Sequence, residues 1–204
     1  DASFPPYGYQ ENGEYVGFDL DLAQEVCDRN GWELVKTPID WDAKNMELNS
    51  GAIDCIWNGF TLNGREDDYT WTPAYINNTQ VFAVNKNSGI TKAADLAGKN
   101  IAVQNGSTAQ ETLLASDVVA NGATTTELAT NVEALQQLEL NMVDAAFLDS
   151  VVANYEISTS GKDYKVLPGG LDPEEYAIGF RLGDQALCDK IEEILHEMKQ
   201  DGKL

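Results

Sequence analysis

Short apolar runs alternate with amphipathic, glycine-stopped stretches along the whole chain. This alternation constrains the fold most, because it predicts strands interleaved with helices, an α/β architecture. Residues 17–31 open with Asp19 and Asp21, which favour a helix N-terminus. They continue with Leu22, Ala23, Val26 and Cys27 on one face and stop at Gly31. Strands are expected over 32–37, 53–57, 81–84, 100–104, 143–148, 165–167 and 176–181. Helices are expected over 43–49, from 107 or 108 onward, and over 132–140, 151–157 and 186–199. Thr108 and Glu111 have the spacing of a capping box, and Asn131 stands as a cap before 132–140. A helix end, a turn and a strand start occur at 47–54 and again, two residues shorter, at 139–144. This echo suggests two lobes of related build. No Pro/Gly/Ser linker parts them, so strands are expected to cross between lobes.

Charge excludes several partners. The 204 residues carry 13 Lys+Arg against 34 Asp+Glu, a net charge of −21. So acidic a surface repels nucleic-acid backbones and anionic membranes alike. No apolar run is long enough to span a bilayer, and the opening residues 1–4 read as a mature or trimmed start. The single histidine, His196, falls on the final helix, so no His-based zinc site is expected. Cys27, Cys55 and Cys188 show no CxxC spacing and are expected as buried free thiols, with one disulfide plus a spare thiol as the alternative. Phosphate-loop, dinucleotide and nucleophile-elbow motifs are absent, and Asp19/Asp21 and Asp40/Asp42 do not extend into a calcium loop. No metal or cofactor is implied.

Ligands of open α/β sheets lie beyond the carboxyl ends of strands. The residues at such positions are Asp1, Phe4, Tyr7, Asp40–Asp42 with Trp41, Asn58, Thr61, Arg65, Gly106, Ser107, Thr108 and Asp149. They include aromatic planes, a guanidinium, hydroxyls and a carboxylate, but no nucleophile–base pair. The set suits a zwitterion: Arg65 for a carboxylate, the Ser107/Thr108 helix start as a second anion cradle, Asp149 for an ammonium. Phe4 and Trp41 are placed to sandwich a side chain. Each residue also has a plainer reading. Arg65 fits a surface pair with Glu66 or Asp67, Thr108 and Asp149 fit helix caps, and Phe4 and Trp41 fit the core.

In their order, several segments resemble the polar amino-acid-binding proteins of bacterial ABC importers. They are residues 1–7, 17–23, 48–54, 61–65, 71–75, 95–99, 103–108 and 143–146 with Asp149. The resemblance covers nearly the whole chain. It implies a two-lobed type II periplasmic binding protein fold, each lobe a mixed sheet flanked by helices. Lobe one is expected as 1–84 plus 178–204 and lobe two as 85–177, with hinge strands near 81–87 and 175–180. It also implies a carboxylate-binding Arg65 helped by Ser107 and Thr108. The ammonium would go to Thr61, the Gly59 carbonyl and Asp149. Aromatic walls fall on Phe4 and Trp41, and side-chain selectors on Asp1, Asn58 and Gln104. One carboxylate and two amides as selectors favour an arginine- or lysine-like ligand. The family usually has a strand before Asp1 and a helical stretch after Leu204.

The expected function is therefore binding without catalysis. A monomer working outside the cytoplasm would deliver an amino acid to a permease, and it would be held to the membrane only by an anchor not present in this chain. Alternatives on the same fold are an amino-acid-sensing receptor domain and a cyclohexadienyl dehydratase-like enzyme using Glu174 or Glu175 as its acid.

Overall fold

The computed structural model describes residues 1–168 and 173–204; residues 169–172, within the expected second lobe, lie outside the described residues. The chain opens with strands β1 (Ser3–Phe4), β2 (Gly8–Glu11) and β3 (Glu14–Val16), then helix α1 (Phe18–Asn30). A 3₁₀ turn at Trp41–Ala43 runs into α2 (Lys44–Ser50), followed by β4 (Cys55–Ile56), β5 (Thr70–Trp71) and β6 (Ile76–Asn85). Next come β7 (Asn100–Gln104), α3 (Thr108–Leu114), α4 (Asp117–Ala120), β8 (Thr124–Leu128) and α5 (Asn131–Glu139). The chain continues with β9 (Ala145–Asp149), α6 (Ser150–Ser160), β10 (Tyr164–Val166), β11 (Pro173–Tyr176), β12 (Gly179–Phe180) and α7 (Gln185–Asp201).

The largest sheet has the order β10–β6–β9–β7–β8, with β11 also paired to β6. It is mixed: β7 pairs parallel with β8 and β9, while β6 pairs antiparallel with β9, β10 and β11. Central β7 and β9 are apolar on both faces, as covered strands must be. Ile101, Ala102, Val103, Ala145, Ala146, Phe147 and Leu148 are all fully buried. A smaller antiparallel sheet, β4–β12–β5, packs near α1 and α7. Helical spacing explains α7: Cys188, Ile191, Ile194, Leu195 and Met198 form its buried face against Leu22 and Val26 of α1.

Local signals resolve mostly as expected, with displacements. α1, α2 and α7 end at left-handed Gly31, Gly51 and Gly202. Ser107, not Thr108, caps α3: its Oγ accepts from the Gln110 N–H at 3.1 Å. Thr130 caps α5 in a capping box with Glu133, so Asn131 is already helical. The strand expected over 176–181 is divided between β11 and β12, where the chain passes from the large sheet to the small one.

The strand expected over 32–37 does not form. Residues 32–40 run irregularly, with Trp32 41% and Val35 74% exposed. A strand persists only on a ladder partner. The two-residue β4 is an edge strand paired only with β12, and residues 32–40 do not join its open side. A hollow of about 460 Å³ is left between 32–39 and 52–58. Cys27, Cys55 and Cys188 are free thiols, Cys188 buried and the other two half-buried.

Candidate functional site

β6 organises the site. Its alternation places Asn78 and Gln80 in the interior, opposite Glu174 of β11 and Asp149 of β9 respectively. The loop after β4 is clamped to the same region. Thr61 forms a bridge with Tyr176, and the Leu62 N–H donates to the Glu175 carbonyl at 2.9 Å. From the other side, β7 ends at Gln104 and α3 begins after Ser107.

These segments enclose a cavity of about 20 Å³. Asp1, Phe4, Trp41, Asn58, Gly59 and Thr61 line it from one direction. Gln104, Ser107, Thr108 and Asp149 line it from the other, joined by Gln80 and Ala109. Arg65, buried at 8% exposure, does not itself line this cavity. The larger hollow beside 32–39 shares Asp1, Trp41 and Asn58 but lacks the convergent buried polar groups. The small cavity is therefore taken as the candidate site.

Each expected residue has a defined environment. Asp149 stands at the first position before α6, yet its side chain makes no capping bond. Instead Oδ1 accepts from Asn78 Nδ2 at 2.9 Å and from the Tyr176 hydroxyl at 2.7 Å, and Oδ2 accepts from Asn131 Nδ2 at 3.4 Å. Burial, and then the Glu174 carboxylate, raise its pKa well above the usual carboxylate range. Thr61 Oγ1 donates to Glu174 Oε2 at 2.9 Å.

Arg65 does not pair with Glu66 or Asp67. Its Nη2 bonds Glu111 Oε1 of α3 at 3.0 Å, and its guanidinium lies 5.6 Å above the Phe60 ring. Phe60 is fully buried and meets Trp41, Tyr69 and Trp71 at ring separations of 5.6, 5.1 and 4.7 Å. This aromatic cluster fixes the Trp41 wall. Phe4, 5% exposed, packs edge-on to Tyr176 at 6.4 Å. Gly59 takes φ +55°, and a Cβ there would sit 2.4 Å from Phe4 Cε1, so loop and ring require glycine.

Among the expected selectors, Asp1 Oδ2 accepts from Gln104 Nε2 at 2.7 Å. Asn58 Oδ1 is buried without a hydrogen-bond partner. Ser107 Oγ donates to the Gln104 carbonyl at 2.7 Å while capping α3. Thr108 is the first residue of α3.

Sequence reasoning passed over several neighbours. Lys44, 5% exposed, donates from Nζ to the Gly106 carbonyl at 2.7 Å. Burial, and then the Arg65 charge, lower its pKa to about 8. Asn78, Gln80 and Tyr176 carry no role in the sequence reading, Asn131 only that of a helix cap, and Glu174 only that of an acid. Alternation along β6 and β11 was the available signal.

Comparison with known proteins is consistent across sequence and structure. The chain is 29% identical to the arginine-binding extracellular protein ArtP of Bacillus subtilis, covering 100% of this chain and 80% of that one. It is also 29% identical to the histidine-binding periplasmic protein of Salmonella typhimurium, over 99% of this chain and 81% of that one. A solved ABC uptake transporter substrate-binding protein from Streptococcus pneumoniae, with bound histidine, superposes with a TM-score of 0.93 at 38% identity. That match covers 100% of this chain and 86% of the other. The fold is thus the two-lobed type II periplasmic binding protein fold. The profile of bacterial extracellular solute-binding proteins, family 3, matches residues 1–204, and the chain belongs to that family.

Proposed function

We propose that the chain takes a free polar amino acid between two closing lobes, residues 1–84 with 178–204 and residues 85–177, and delivers it to an ABC importer permease. Arg65 holds the α-carboxylate, helped by Ser107 and Thr108. Asp149, Thr61 and the Gly59 carbonyl hold the ammonium. Phe4 and Trp41 flank the side chain, and Asp1, Asn58 and Gln104 read its end. The observation that carries this reading is Asp149, buried at 8% exposure with no capping role, in a cavity also lined by Thr61 and Gly59. At about 20 Å³ that cavity has room for about one water, so an amino acid enters only as the walls part.

Arginine or lysine is the favoured ligand class. The Asp1 carboxylate, which accepts from the Ser3 N–H and from Gln104, and the partnerless Asn58 Oδ1 are acceptors suited to a donor-rich side chain. Relatives named for arginine and histidine support a nitrogen-rich ligand. Catalysis is not part of the reading: Glu174, the candidate acid, already accepts bonds from Thr61, Asn78 and Gln80. The chain is read as a monomer working outside the cytoplasm. No helix among the described residues is long and apolar enough to cross a membrane.

A thermal-shift panel of the common amino acids tests the reading; a true ligand at about 100 times its Kd adds about 2.7 kcal/mol. Calorimetry on Arg65→Ala and Asp149→Asn should then each show a loss of about 2–5 kcal/mol for every α-amino acid that binds. An Arg65→Ala protein within about threefold of wild type would reduce Arg65 to a structural residue.

A further inference from the structure

The buried Glu174 has no part in the ammonium site as described above. It is 4% exposed on β11, opposite Asn78 of β6. Its Oε2 accepts from Thr61 Oγ1 at 2.9 Å and from Gln80 Nε2 at 3.2 Å, and its Oε1 accepts from Asn78 Nδ2 at 2.6 Å. The same Asn78 amide reaches Asp149 Oδ1 at 2.9 Å, so one donor group holds the two carboxyl groups side by side. Two buried carboxyl groups on one amide repel each other when both are charged, which favours a single proton between them.

The groups facing the pair come from every packed element. β6 supplies the amides of Asn78 and Gln80, α5 that of Asn131, and β11 the Tyr176 phenol. Tyr7, between β1 and β2, feels the charges of both Asp149 and Asp19. The loop after β4 brings Thr61, while the Arg65 guanidinium pairs with Glu111. None of the hydrogen bonds named here brings a cation to the pair. Asn131 Oδ1, next to it, is buried without a partner. The cluster has more acceptors than donors, and a primary ammonium, with its positive charge and N–H donors, answers both needs.

We propose that Glu174 is a second carboxylate for the ligand's ammonium, and that the ammonium replaces the proton shared by Glu174 and Asp149. This rests on the amino-acid-binding reading above. The ligand enters with its ammonium intact, and no bond within it forms or breaks. The shared proton leaves to water or buffer, so the pair goes from one negative charge to two as one positive charge arrives. The net charge buried in the closed site is unchanged, which avoids stranding an uncompensated ion.

L-Arginine is the probe, because its guanidinium does not titrate in the range used. Calorimetry of the full chain in phosphate and in Tris, from about pH 5 to about pH 8, gives the protons exchanged per ligand. Near the acid end, close to one proton should leave per arginine, and affinity should rise about tenfold per pH unit before levelling off. Glu174→Gln should abolish proton release, flatten the profile and weaken binding at the alkaline end by about tenfold or more. Asp149→Asn, which removes the other half of the pair, should also abolish release. If either variant fails to fold, the wild-type proton count decides alone. Wild-type binding without proton exchange, or a Glu174→Gln profile that keeps its slope, would overturn the inference alone. No binding of L-arginine, L-lysine or L-histidine would overturn the amino-acid reading and the inference with it.

Discussion

Replacing Asp19 by asparagine should change how the stability of this protein depends on pH. Asp19 is fully buried in α1; its Oδ1 accepts from the Tyr75 hydroxyl and its Oδ2 from the Gly59 N–H, both at 2.8 Å. Burial outweighs these bonds and raises its pKa from the ordinary 3.8 to about 7. Between those values the folded chain keeps a proton that the unfolded chain has released. Stability therefore falls as pH rises through the window, and is highest, as far as this group is concerned, below it. Carried across the window, the shift amounts to about 4 kcal/mol. Asparagine is neutral throughout: its Oδ1 can accept from Gly59 while its Nδ2 donates to the Tyr75 oxygen. Urea unfolding of both proteins from about pH 4 to about pH 8 isolates the effect, since the other titrating groups cancel in the difference. The variant should gain on wild type by about 4 kcal/mol over that range. A difference that stays constant with pH would refute the reasoning.

Two further outcomes follow from site geometry. Gly59→Ala places a methyl group 2.4 Å from Phe4 Cε1 at φ +55° and should cost about 1–3 kcal/mol, read by thermal unfolding. An alanine variant as stable as wild type would show that Phe4 yields freely. A ligand carboxylate on Arg65 must compete with Glu111, which is itself 66% exposed at its side chain. Such a pair is worth at most about 1 kcal/mol, so Glu111→Gln should tighten amino-acid binding by no more than about fivefold, and a weakening would give Glu111 a different role.

What was legible in the sequence was what short stretches decide by themselves. β7 was read at its observed bounds because a central parallel strand is apolar on both faces. Asp149 was placed correctly at the junction of β9 and α6, since an apolar run ending at a carboxylate marks that junction locally. What that carboxylate bonds was not legible, because Asn78 and Tyr176 reach it only through pairing of β6 with β9 and β11. Glu174 was read as an acid for the same reason: its burial depends on a register set 96 residues away, at Asn78. Residues 32–37 show the converse failure. Their strand-like pattern is real, but a strand belongs to a ladder rather than to a sequence, and residues 32–37 form none, even with the edge strand β4. The Arg65–Glu111 pair was missed because it joins a turn to a helix that are remote in the chain.

Under the proposed closure of two lobes, the position of β6 sets an order for recognition. Asp149, Tyr176 and Asn78 lie on strands paired directly to β6 or on β6 itself. Arg65–Glu111, Asp42–Asn105 and Lys44–Gly106 join segments outside the strands paired to β6. In a rotation about β6 and β11, displacement grows with the lever arm. Atoms near the axis barely move, while those at the rim travel furthest. On the roles proposed above, the ammonium end of a ligand would meet groups that move little, and contacts spanning the rim would assemble only at the end of the swing. A molecule lacking an amine would then be discarded while the arc is still wide, and one lacking a carboxylate only after the arc has nearly closed.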